Sequence, residues 1–224
     1  MISVALPIGP RPHHREYLGE MLESIRSQTR LPEYVILIFD GWVPSDFDVT
    51  TWELQLSPVQ LQTFISPWNV GVSDAMNFGV AVSRTELVLM ACADDRLLPT
   101  CIERCLDAWE RIHDPLGYYY LGVRYSDGRE QNVPCGAAMV TKTLWRYTGG
   151  FFPQCSVGAA DHIFIHALLC AQARGVSRTR LLPVSPEPVY WYRCGEGETS
   201  RNNWPAIEAV KERLSMWTPP GECE

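Results

Sequence analysis

Residues 86–99 read Glu-Leu-Val-Leu-Met-Ala-Cys-Ala-Asp-Asp-Arg-Leu-Leu-Pro, and in this stretch an apolar run ends abruptly in two adjacent carboxylates. The apolar part, 87–93, is typical of an inner strand of a sheet that is covered on both faces. Asp94 and Asp95 follow at its carboxyl end, where open α/β sheets bind ligands. The stretch therefore predicts a mostly parallel α/β sheet with a candidate site at the two carboxylates.

Two interpretations of Asp94 and Asp95 follow from this local sequence. Adjacent like charges repel each other, and a hard divalent ion such as Mg²⁺ or Mn²⁺, itself carrying a phosphate, would relieve that repulsion. Alternatively, the pair forms a turn before a helix, with Asp95 or Thr100 capping a segment that starts at Pro99. The local sequence does not decide between a metal site and a helix cap.

Strand-like and helix-like segments alternate on both sides of this stretch. Before it, the apolar periodicity predicts strands at 2–7, 34–39 and 62–66, helices at 14–28 and from just after Gly71 to 83, and an irregular segment at 42–58. Ser73 or Asp74 is the expected cap of the second helix. The opening order of strand, helix and strand predicts parallel strands joined by a right-handed crossover.

The second half of the chain is less regular. We expect helices at 100–112, 142–147 and 159–174, a strand at 118–123 with a partner around 135–141, an extended proline-punctuated stretch up to Arg193, and a final helix at 203–217. No internal repeat, low-complexity tract or linker interrupts the pattern. The chain is therefore expected to form one domain with a short C-terminal appendage.

Composition narrows the class of protein. A chain of 224 residues with 46% hydrophobic residues is long enough to bury a sizeable core. Its net charge of −7 disfavours nucleic acid as a partner, because broad phosphate binding needs a basic surface. The eight cysteines are scattered without a CxxC pair, which favours free thiols in a reducing, cytoplasmic setting. No apolar run approaches the length of a membrane span, so membrane contact is expected only as peripheral association.

Several short motifs occur in order along the chain. In the first half, they are an opening strand at 3–8, Ser-Ile-Arg-Ser-Gln-Thr at 24–29 with Pro-Glu at 32–33, and a strand ending in Asp40-Gly41. Next come Asn-Val-Gly at 69–71 with Ala-Met-Asn-Phe-Gly at 75–79, and the stretch from Cys92 to Pro99. In the second half, they are Gly-Ala-Ala-Met at 136–139 followed by Gly149-Gly150-Phe151, Ala160-Asp161, and Trp-Tyr-Arg at 191–193 with Thr199-Ser200. In this order and spacing they resemble the motifs of family 2 glycosyltransferases of the GT-A fold.

The resemblance implies an α/β fold of GT-A type, with a Rossmann-like, mostly parallel central sheet, helices on both faces and a smaller acceptor-side β region. Residues 1–200 would form the glycosyltransferase domain, with a nucleotide-sugar half at about 1–99 and an acceptor half at about 100–200. Residues 201–224 would form a helix or tail packed on it. The implied activity is the transfer of a sugar from a nucleoside diphosphate sugar, with a UDP-sugar favoured, to an acceptor hydroxyl with inversion.

The resemblance also implies roles for individual residues. Asp95 and Asp94 would hold Mn²⁺ or Mg²⁺, with Asp95 the first choice for direct ligation, and Asp161 would act as the general base. The residues expected to bind the nucleotide-sugar are Pro7, Asp40, Asn69, Gly71, Asp94 and Arg193. Simpler structural alternatives remain open, and they are a turn at Asp40, a helix cap at Asp161 and an exposed edge-strand arginine at Arg193.

Three residues depart from the family pattern. Cys92 replaces the first carboxylate of the metal motif, Met76 replaces an arginine, and Ala160 replaces the glutamate before the base. They motivate an alternative, a catalytically degenerate GT-A-like module that binds a nucleotide-sugar or glycan without turnover. A dinucleotide-binding oxidoreductase ranks low because no G-x-G-x-x-G follows the first strand. The acceptor is expected to be a glycan or another hydroxyl compound, and we expect no zinc site at His162 and His166, which lack a third ligand.

Overall fold

The computed structural model describes residues 1–134, 136–152, 160–194 and 204–221, so the Thr199-Ser200 element of the sequence motifs lies outside the described residues. The elements, in chain order, are β1 (Ile2–Ile8), α1 (Pro12–Arg26), β2 (Tyr34–Asp40), α2 (Val49–Leu56), β3 (Gln60–Ser66), α3 (Val72–Val82), β4 (Leu87–Met90), β5 (Arg96–Leu97), α4 (Cys101–Ile112), β6 (Gly117–Tyr120), β7 (Val123–Tyr125), β8 (Glu130–Gln131), β9 (Ala138–Thr141), α5 (Lys142–Thr148), α6 (Ala160–Ala173), β10 (Arg180–Pro183), β11 (Tyr190–Tyr192) and α7 (Trp204–Leu214).

The strands form two sheets. The larger sheet has seven strands in the order β10-β6-β9-β4-β1-β2-β3. Its neighbouring strands run parallel, except that β9 is antiparallel to both β4 and β6. The smaller sheet has four strands in the order β5-β11-β7-β8. The mostly parallel α/β sheet predicted from residues 86–99 is therefore confirmed, and β4 lies at its centre.

Alternate side chains of the central strands enter two hydrophobic clusters, one on each face of the large sheet. In β1, Val4 and Leu6 join the cluster that contains buried residues of α1 and α4. Ala5 joins the other cluster, which contains buried residues of α3, α5 and α6. Because both faces of the central strands are covered by helices, the segment that forms β4 is apolar without alternation.

The structure corrects two expectations about helices. The segment 42–58, expected to be irregular, contains helix α2. Its N-cap is Asp48, whose Oδ1 accepts hydrogen bonds from the backbone N–H groups of Thr50 and Thr51 at 3.0 and 3.3 Å. This local capping stabilises a helix whose apolar periodicity is weak. Helix α3 starts after Gly71 as expected, but Gly71 itself is the N-cap and the two predicted cap residues lie inside the first turn.

The run predicted as one strand at 118–123 is divided between the two sheets. Strand β6 ends at Tyr120, and β7 begins at Val123 in the smaller sheet. Between them, Gly122 lies so close to the chain ahead of β11 that an added Cβ would be 3.1 Å from the carbonyl oxygen of Glu187. The short strands β5 and β10 were not expected, because two to four residues are too few to show a period.

The C-terminal helix α7 contacts α6. Ile207 of α7 is fully buried in the cluster that also contains α6. Just after α6, Arg174 donates hydrogen bonds to the backbone carbonyls of Met216 and Trp217. The division into halves at 1–99 and 100–200 stays a prediction. Across the described residues, no helix combines the length and apolarity that a membrane crossing requires.

Candidate functional site

Asp95 lies just beyond the central strand β4, at the carboxyl edge of the large sheet, and is only 2% exposed. Its Oδ2 accepts a hydrogen bond from the Tyr190 hydroxyl at 2.7 Å, and its Oδ1 accepts one from the backbone N–H of Arg193 at 2.8 Å. Thr100 precedes α4 without a side-chain cap hydrogen bond. The pair does lie in a turn, closed by the hydrogen bond from the Asp95 N–H to the carbonyl oxygen of Cys92 at 3.3 Å, and Thr100 is the N-cap residue of α4. Capping by the Asp95 side chain is wrong, because Asp95 instead connects the segment after β4 to β11 and its following residue Arg193.

The surroundings of the carboxylate pair disfavour a negative charge on Asp95. Burial, followed by the charge of Asp94, raises the pKa of Asp95 to about 8, although its hydrogen bonds from Arg193 and Tyr190 act in the opposite direction. A divalent cation beside the pair would offset the charge of Asp94 and lower the pKa of Asp95, so that both carboxylates are ionised. The side chains present therefore fit the predicted metal site.

Asp94 is the more accessible carboxylate, with 24% of its side chain exposed. Asp94 belongs to two groups of potential metal ligands. One group is Asp94 with His13 and His14, and the other is Asp94 with Cys92 and Asp95. Within each group, the ligand atoms lie within 4.8 Å of one another. His13 Nε2 lies 3.5 Å from Asp94 Oδ2. Direct ligation by Asp95 stays a prediction. Since both Asp95 oxygens already accept hydrogen bonds, only their remaining lone pairs are available to an ion.

The two histidines are functional candidates that the sequence motifs do not single out. They lie in the first turn of α1, which follows β1, the parallel neighbour of β4 in the sheet. His14 Nδ1 is 2.9 Å from the backbone nitrogen and 3.1 Å from the carbonyl oxygen of Gly9. Burial lowers the pKa of His14 despite the opposing charge of Asp94. The signal in the sequence was the His13-His14 pair itself, directly after a strand that ends at the ligand-binding edge.

Arg193 is held in place by one contact with the backbone of Asp94 and two contacts with α1. Its Nε donates to the carbonyl oxygen of Asp94 at 2.9 Å, and its guanidinium pairs with Glu20 at 2.7 Å. The guanidinium also lies over the ring of Tyr17, with 3.5 Å between its carbon and the ring centroid. With only 20% of the side chain exposed, Arg193 is not the freely exposed arginine of the simpler alternative. The donor-binding role of Arg193 stays a prediction.

Asp40 ends β2 at the same sheet edge and holds the loop after β3 in place. Its two carboxylate oxygens accept hydrogen bonds from the backbone N–H groups of Val70 at 2.6 Å and Gly71 at 2.9 Å. The side-chain amide of Asn69 donates to the carbonyl oxygen of Asp40 at 3.3 Å. The structure thus brings together three of the residues predicted to bind the donor, while Pro7 is buried in the neighbouring strand β1. Their binding roles stay predictions.

Asp161 lies in the first turn of α6, with 22% of its side chain exposed. The backbone at Gly136 packs so closely that a Cβ there would lie 3.1 Å from Asp161 Oδ2. Gly136 precedes β9, whose antiparallel register pairs Ala138 with Met90 at the end of β4. This register places Asp161 at the same edge of the sheet as the carboxylate pair. Its role as a base stays a prediction.

Two of the three residues that depart from the motif pattern belong to the hydrophobic core. Met76 is 3% exposed and Ala160 is 5% exposed, and both belong to the hydrophobic cluster around α3 and α6. Next to Met76, the side-chain amide of Asn77 donates to the carbonyl oxygen of Phe151 at 2.9 Å and accepts from its N–H at 2.8 Å. Helix α3 therefore positions the segment after Gly150 through two hydrogen bonds.

Comparison with known proteins identifies the family. The family model described as Glycosyl transferase family 2 matches residues 3–158. The UDP-Gal:alpha-D-GlcNAc-diphosphoundecaprenol beta-1,3-galactosyltransferase of Escherichia coli is 35% identical over 81 residues, which are 35% of this chain and 28% of that protein. An uncharacterized glycosyltransferase of Haemophilus influenzae is 34% identical over 91 residues, which are 40% of this chain and 33% of that protein. The matched stretch thus spans a third or less of each curated relative.

Solved structures share the fold. S. aureus TarS in complex with UDP-GlcNAc superposes with a TM-score of 0.75 at 15% identity, covering 99% of this chain and 68% of that one. The TarS complex with UDP gives a TM-score of 0.73 at 13% identity, with coverages of 100% and 67%. The mannosyltransferase PcManGT of Pyrobaculum calidifontis, in complex with GDP-Man and Mn²⁺, gives 0.66 at 16% identity, with coverages of 98% and 65%. The predicted GT-A fold is confirmed.

Proposed function

The chain belongs to glycosyl transferase family 2, and from this premise we propose that it transfers a sugar from a nucleoside diphosphate sugar to an acceptor hydroxyl. The proposed donor is a UDP-sugar, and the proposed acceptor is a glycan or another hydroxyl compound. Support for the donor class comes from the UDP and UDP-GlcNAc complexes of TarS and from the UDP-Gal donor named for the E. coli relative. We further propose that a divalent metal ion assists and that the anomeric configuration inverts.

The observation that carries this proposal is the convergence of carboxylates on one edge of the large sheet. The Asp40 carboxylate accepts hydrogen bonds from two backbone amides of the loop after β3. Asp94 and Asp95 follow β4, two strands away from β2 in the sheet order. Asp161 packs against Gly136, which precedes β9, the neighbour of β4 on the other side from β1. A donor placed over this edge would have acidic groups at the nucleoside, at the diphosphate and at the acceptor.

Each group has a distinct chemical task in the proposed reaction. Asp161 accepts the proton of the acceptor hydroxyl while that oxygen attacks the anomeric carbon. The bond from this carbon to the diphosphate oxygen breaks on the opposite face, so the configuration inverts. Asp94 and Asp95 would hold the divalent ion, and the bound ion would neutralise charge on the diphosphate leaving group. Tyr190 keeps the Asp95 carboxylate oriented through the 2.7 Å hydrogen bond between them.

Release of nucleoside diphosphate from a panel of nucleotide-sugars tests the proposal. The protein is incubated with UDP-, GDP- and other nucleotide-sugars, a mixture of glycan acceptors, and Mn²⁺ or Mg²⁺. We expect release from a UDP-sugar, and we expect Asp161→Asn to lower its rate by at least about 100-fold, as for loss of a general base. Asp95→Asn should also lower the rate. The matched control is Asp107→Asn, because Asp107 lies on the exposed side of α4 with 46% of its side chain accessible.

Two outcomes would contradict specific parts of the proposal. If the wild type releases nucleotide from no donor, with or without acceptors, the enzymatic function is wrong. If Asp161→Asn is as active as Asp107→Asn, another group removes the proton. Inversion is tested separately, by comparing the anomeric configuration of donor and product by NMR spectroscopy.

A catalytically degenerate binding module is the second candidate function. The observation that favours it is the burial of Met76 and Ala160, which places apolar side chains where family members carry an arginine and a glutamate. Such a module would bind a nucleotide-sugar without releasing nucleoside diphosphate. Calorimetric binding of UDP-sugars together with the absence of release would select this function over transfer.

A further inference from the structure

Two imidazoles and one carboxylate meet at the start of helix α1. The ligand atoms of His13, His14 and Asp94 all lie within 4.8 Å of one another. His13 Nε2 is 3.5 Å from Asp94 Oδ2, and the two imidazole rings meet edge to face with their centroids 4.7 Å apart. The three side chains are only half-buried, so an ion can reach them from solvent. No element of the proposed transfer chemistry uses either histidine.

The spacing of these atoms suits a bound transition metal. Metal–nitrogen bonds of about 2.0–2.1 Å place the ligand atoms of a tetrahedral ion roughly 3.4 Å apart. The distance of 3.5 Å between His13 and Asp94 already matches this value. The rest of the cluster, with an upper limit of 4.8 Å, needs side-chain movements of about 1 Å to close around an ion.

The backbone orients one of the two imidazoles. His14 Nδ1 lies against both backbone groups of Gly9: it accepts a hydrogen bond from the N–H at 2.9 Å when unprotonated, and it can donate to the carbonyl oxygen at 3.1 Å when protonated. Metal binding through Nε2 selects the second tautomer, in which Nδ1 carries the proton and the lone pair of Nε2 is available to the ion. Ligating histidines in proteins regularly donate their second nitrogen to a carbonyl or carboxylate in this way. Gly9 also has no side chain, and an added Cβ would lie 3.4 Å from the His14 ring.

We propose that His13, His14 and Asp94 bind a transition-metal ion and that they select it over Mg²⁺ at the edge of the sheet where the donor is proposed to bind. Imidazole nitrogen favours ions such as Zn²⁺ and Co²⁺, whereas Mg²⁺ prefers oxygen ligands alone. Cys92, grouped with Asp94 and Asp95 on the other side of the pair, adds a sulfur atom that favours the same ions. The role of this ion in sugar transfer rests on the proposed function, but its binding does not.

Titration calorimetry of the metal-free protein, without nucleotide or donor, measures the selectivity directly. We expect Zn²⁺ to bind more tightly than Mn²⁺, and Mn²⁺ more tightly than Mg²⁺. His13→Ala should weaken Zn²⁺ and Mn²⁺ at least about tenfold, because changing even a residue that only supports a ligand has an effect of that size. The Mg²⁺ affinity should change less than about twofold, since the oxygen ligands remain. His14→Gln serves as a second variant, with thermal unfolding to check that it folds.

The control variant removes a competing metal-binding surface. On α6, His166 Nε2 lies 3.5 Å from Cys170 Sγ, and this variant tests whether Zn²⁺ binds there instead of at His13. His166→Ala should bind all three ions like the wild type. The proposal is overturned if His13→Ala retains wild-type Zn²⁺ affinity, if His166→Ala loses it, or if Mg²⁺ binds as tightly as Mn²⁺.

The ion selectivity and the proposed transferase activity fail in distinguishable ways. If the protein binds Zn²⁺ through His13 but releases no nucleoside diphosphate, the metal site stands and the proposed function is wrong. If transfer runs with Mg²⁺ and both histidine variants bind every ion like the wild type, the function stands and the histidines are not ligands. Co²⁺ substitution adds a spectroscopic readout, because loss of an imidazole ligand changes the visible absorption of the bound ion.

Discussion

Replacing Tyr190 by phenylalanine removes one hydroxyl group at the centre of the site. That hydroxyl donates to Asp95 Oδ2 at 2.7 Å and accepts from the backbone N–H of Cys92 at 3.0 Å. The residue is 1% exposed, so water cannot easily take over either hydrogen bond. Tyr190→Phe therefore leaves a carboxyl oxygen and a backbone N–H without their partner, while the ring and its packing remain.

The size of the effect follows from these two hydrogen bonds. A hydrogen bond between neutral groups contributes about 1 kcal/mol to stability, and one to a charged group about 1.5–3 kcal/mol. We therefore expect Tyr190→Phe to lose about 2–4 kcal/mol of the free energy of unfolding. In a domain of this size, 1 kcal/mol corresponds to about 2–4 °C, so Tm should fall by roughly 5–15 °C. Because Asp95 loses a group that orients it, the affinity for Mn²⁺ should fall at least about tenfold.

Tyr119→Phe is the matched control for this experiment. Tyr119 is also fully buried, and its hydroxyl accepts from the backbone N–H of Asp114 at 2.9 Å and donates to the carbonyl oxygen of the same residue at 3.2 Å. Its loss should lower stability by about 1–3 kcal/mol. Metal affinity should stay unchanged, since Tyr119 has no contact with the carboxylate pair. Urea unfolding and Mn²⁺ titration of both variants separate stability from binding.

The reasoning is refuted if Tyr190→Phe melts within about 1 °C of the wild type, because a fall of that size is less than the loss of one hydrogen bond predicts. It is also refuted if the Tyr190 and Tyr119 variants lose Mn²⁺ affinity equally. In that case, the effect on binding would come from general destabilisation and not from the orientation of Asp95.

Two further predictions concern backbone crowding and pH. At Gly150, with φ 77°, an added Cβ would lie 2.5 Å from Asn77 Oδ1, so Gly150→Ala should lower the free energy of unfolding in urea by about 2–5 kcal/mol. The control is Gly175→Ala, where φ is 72° but the space around the added Cβ is open, and it should lower that free energy by only about 1–2 kcal/mol. Equal losses in the two variants would contradict the crowding at Gly150. Because the pKa of Asp95 is raised to about 8 in the fold from about 4 unfolded, its contribution to stability is present below about pH 4 and lost as the pH rises to about 8. Urea midpoints of the metal-free protein should therefore fall across that window, and saturating Mn²⁺ should remove the fall; a flat profile would contradict the raised pKa.

Much of the fold could be predicted from the sequence because burial on both faces leaves a strong local pattern. The apolar run before Asp94 predicts an inner strand and a ligand-binding edge without any knowledge of its neighbours. The contacts that define the site leave no such pattern. Tyr190 and Asp95 are 95 residues apart, and β11, which carries Tyr190, has only three residues. His13 was missed because a histidine at the start of a helix has no distinguishing period, and only the packing of β1 against β4 brings it to Asp94.

The position of Asp95 links metal binding to the docking of β11. Its hydrogen bonds from Tyr190 and Arg193 favour the ionised carboxylate, whereas burial and the charge of Asp94 favour the protonated one. A cation bound beside the pair shifts this balance toward the ionised form, in which hydrogen bonds to Asp95 are stronger. By linkage, whatever strengthens those hydrogen bonds also strengthens cation binding. For this reason, removal of the Tyr190 hydroxyl should weaken metal affinity, although it would free a carboxylate oxygen to act as a ligand.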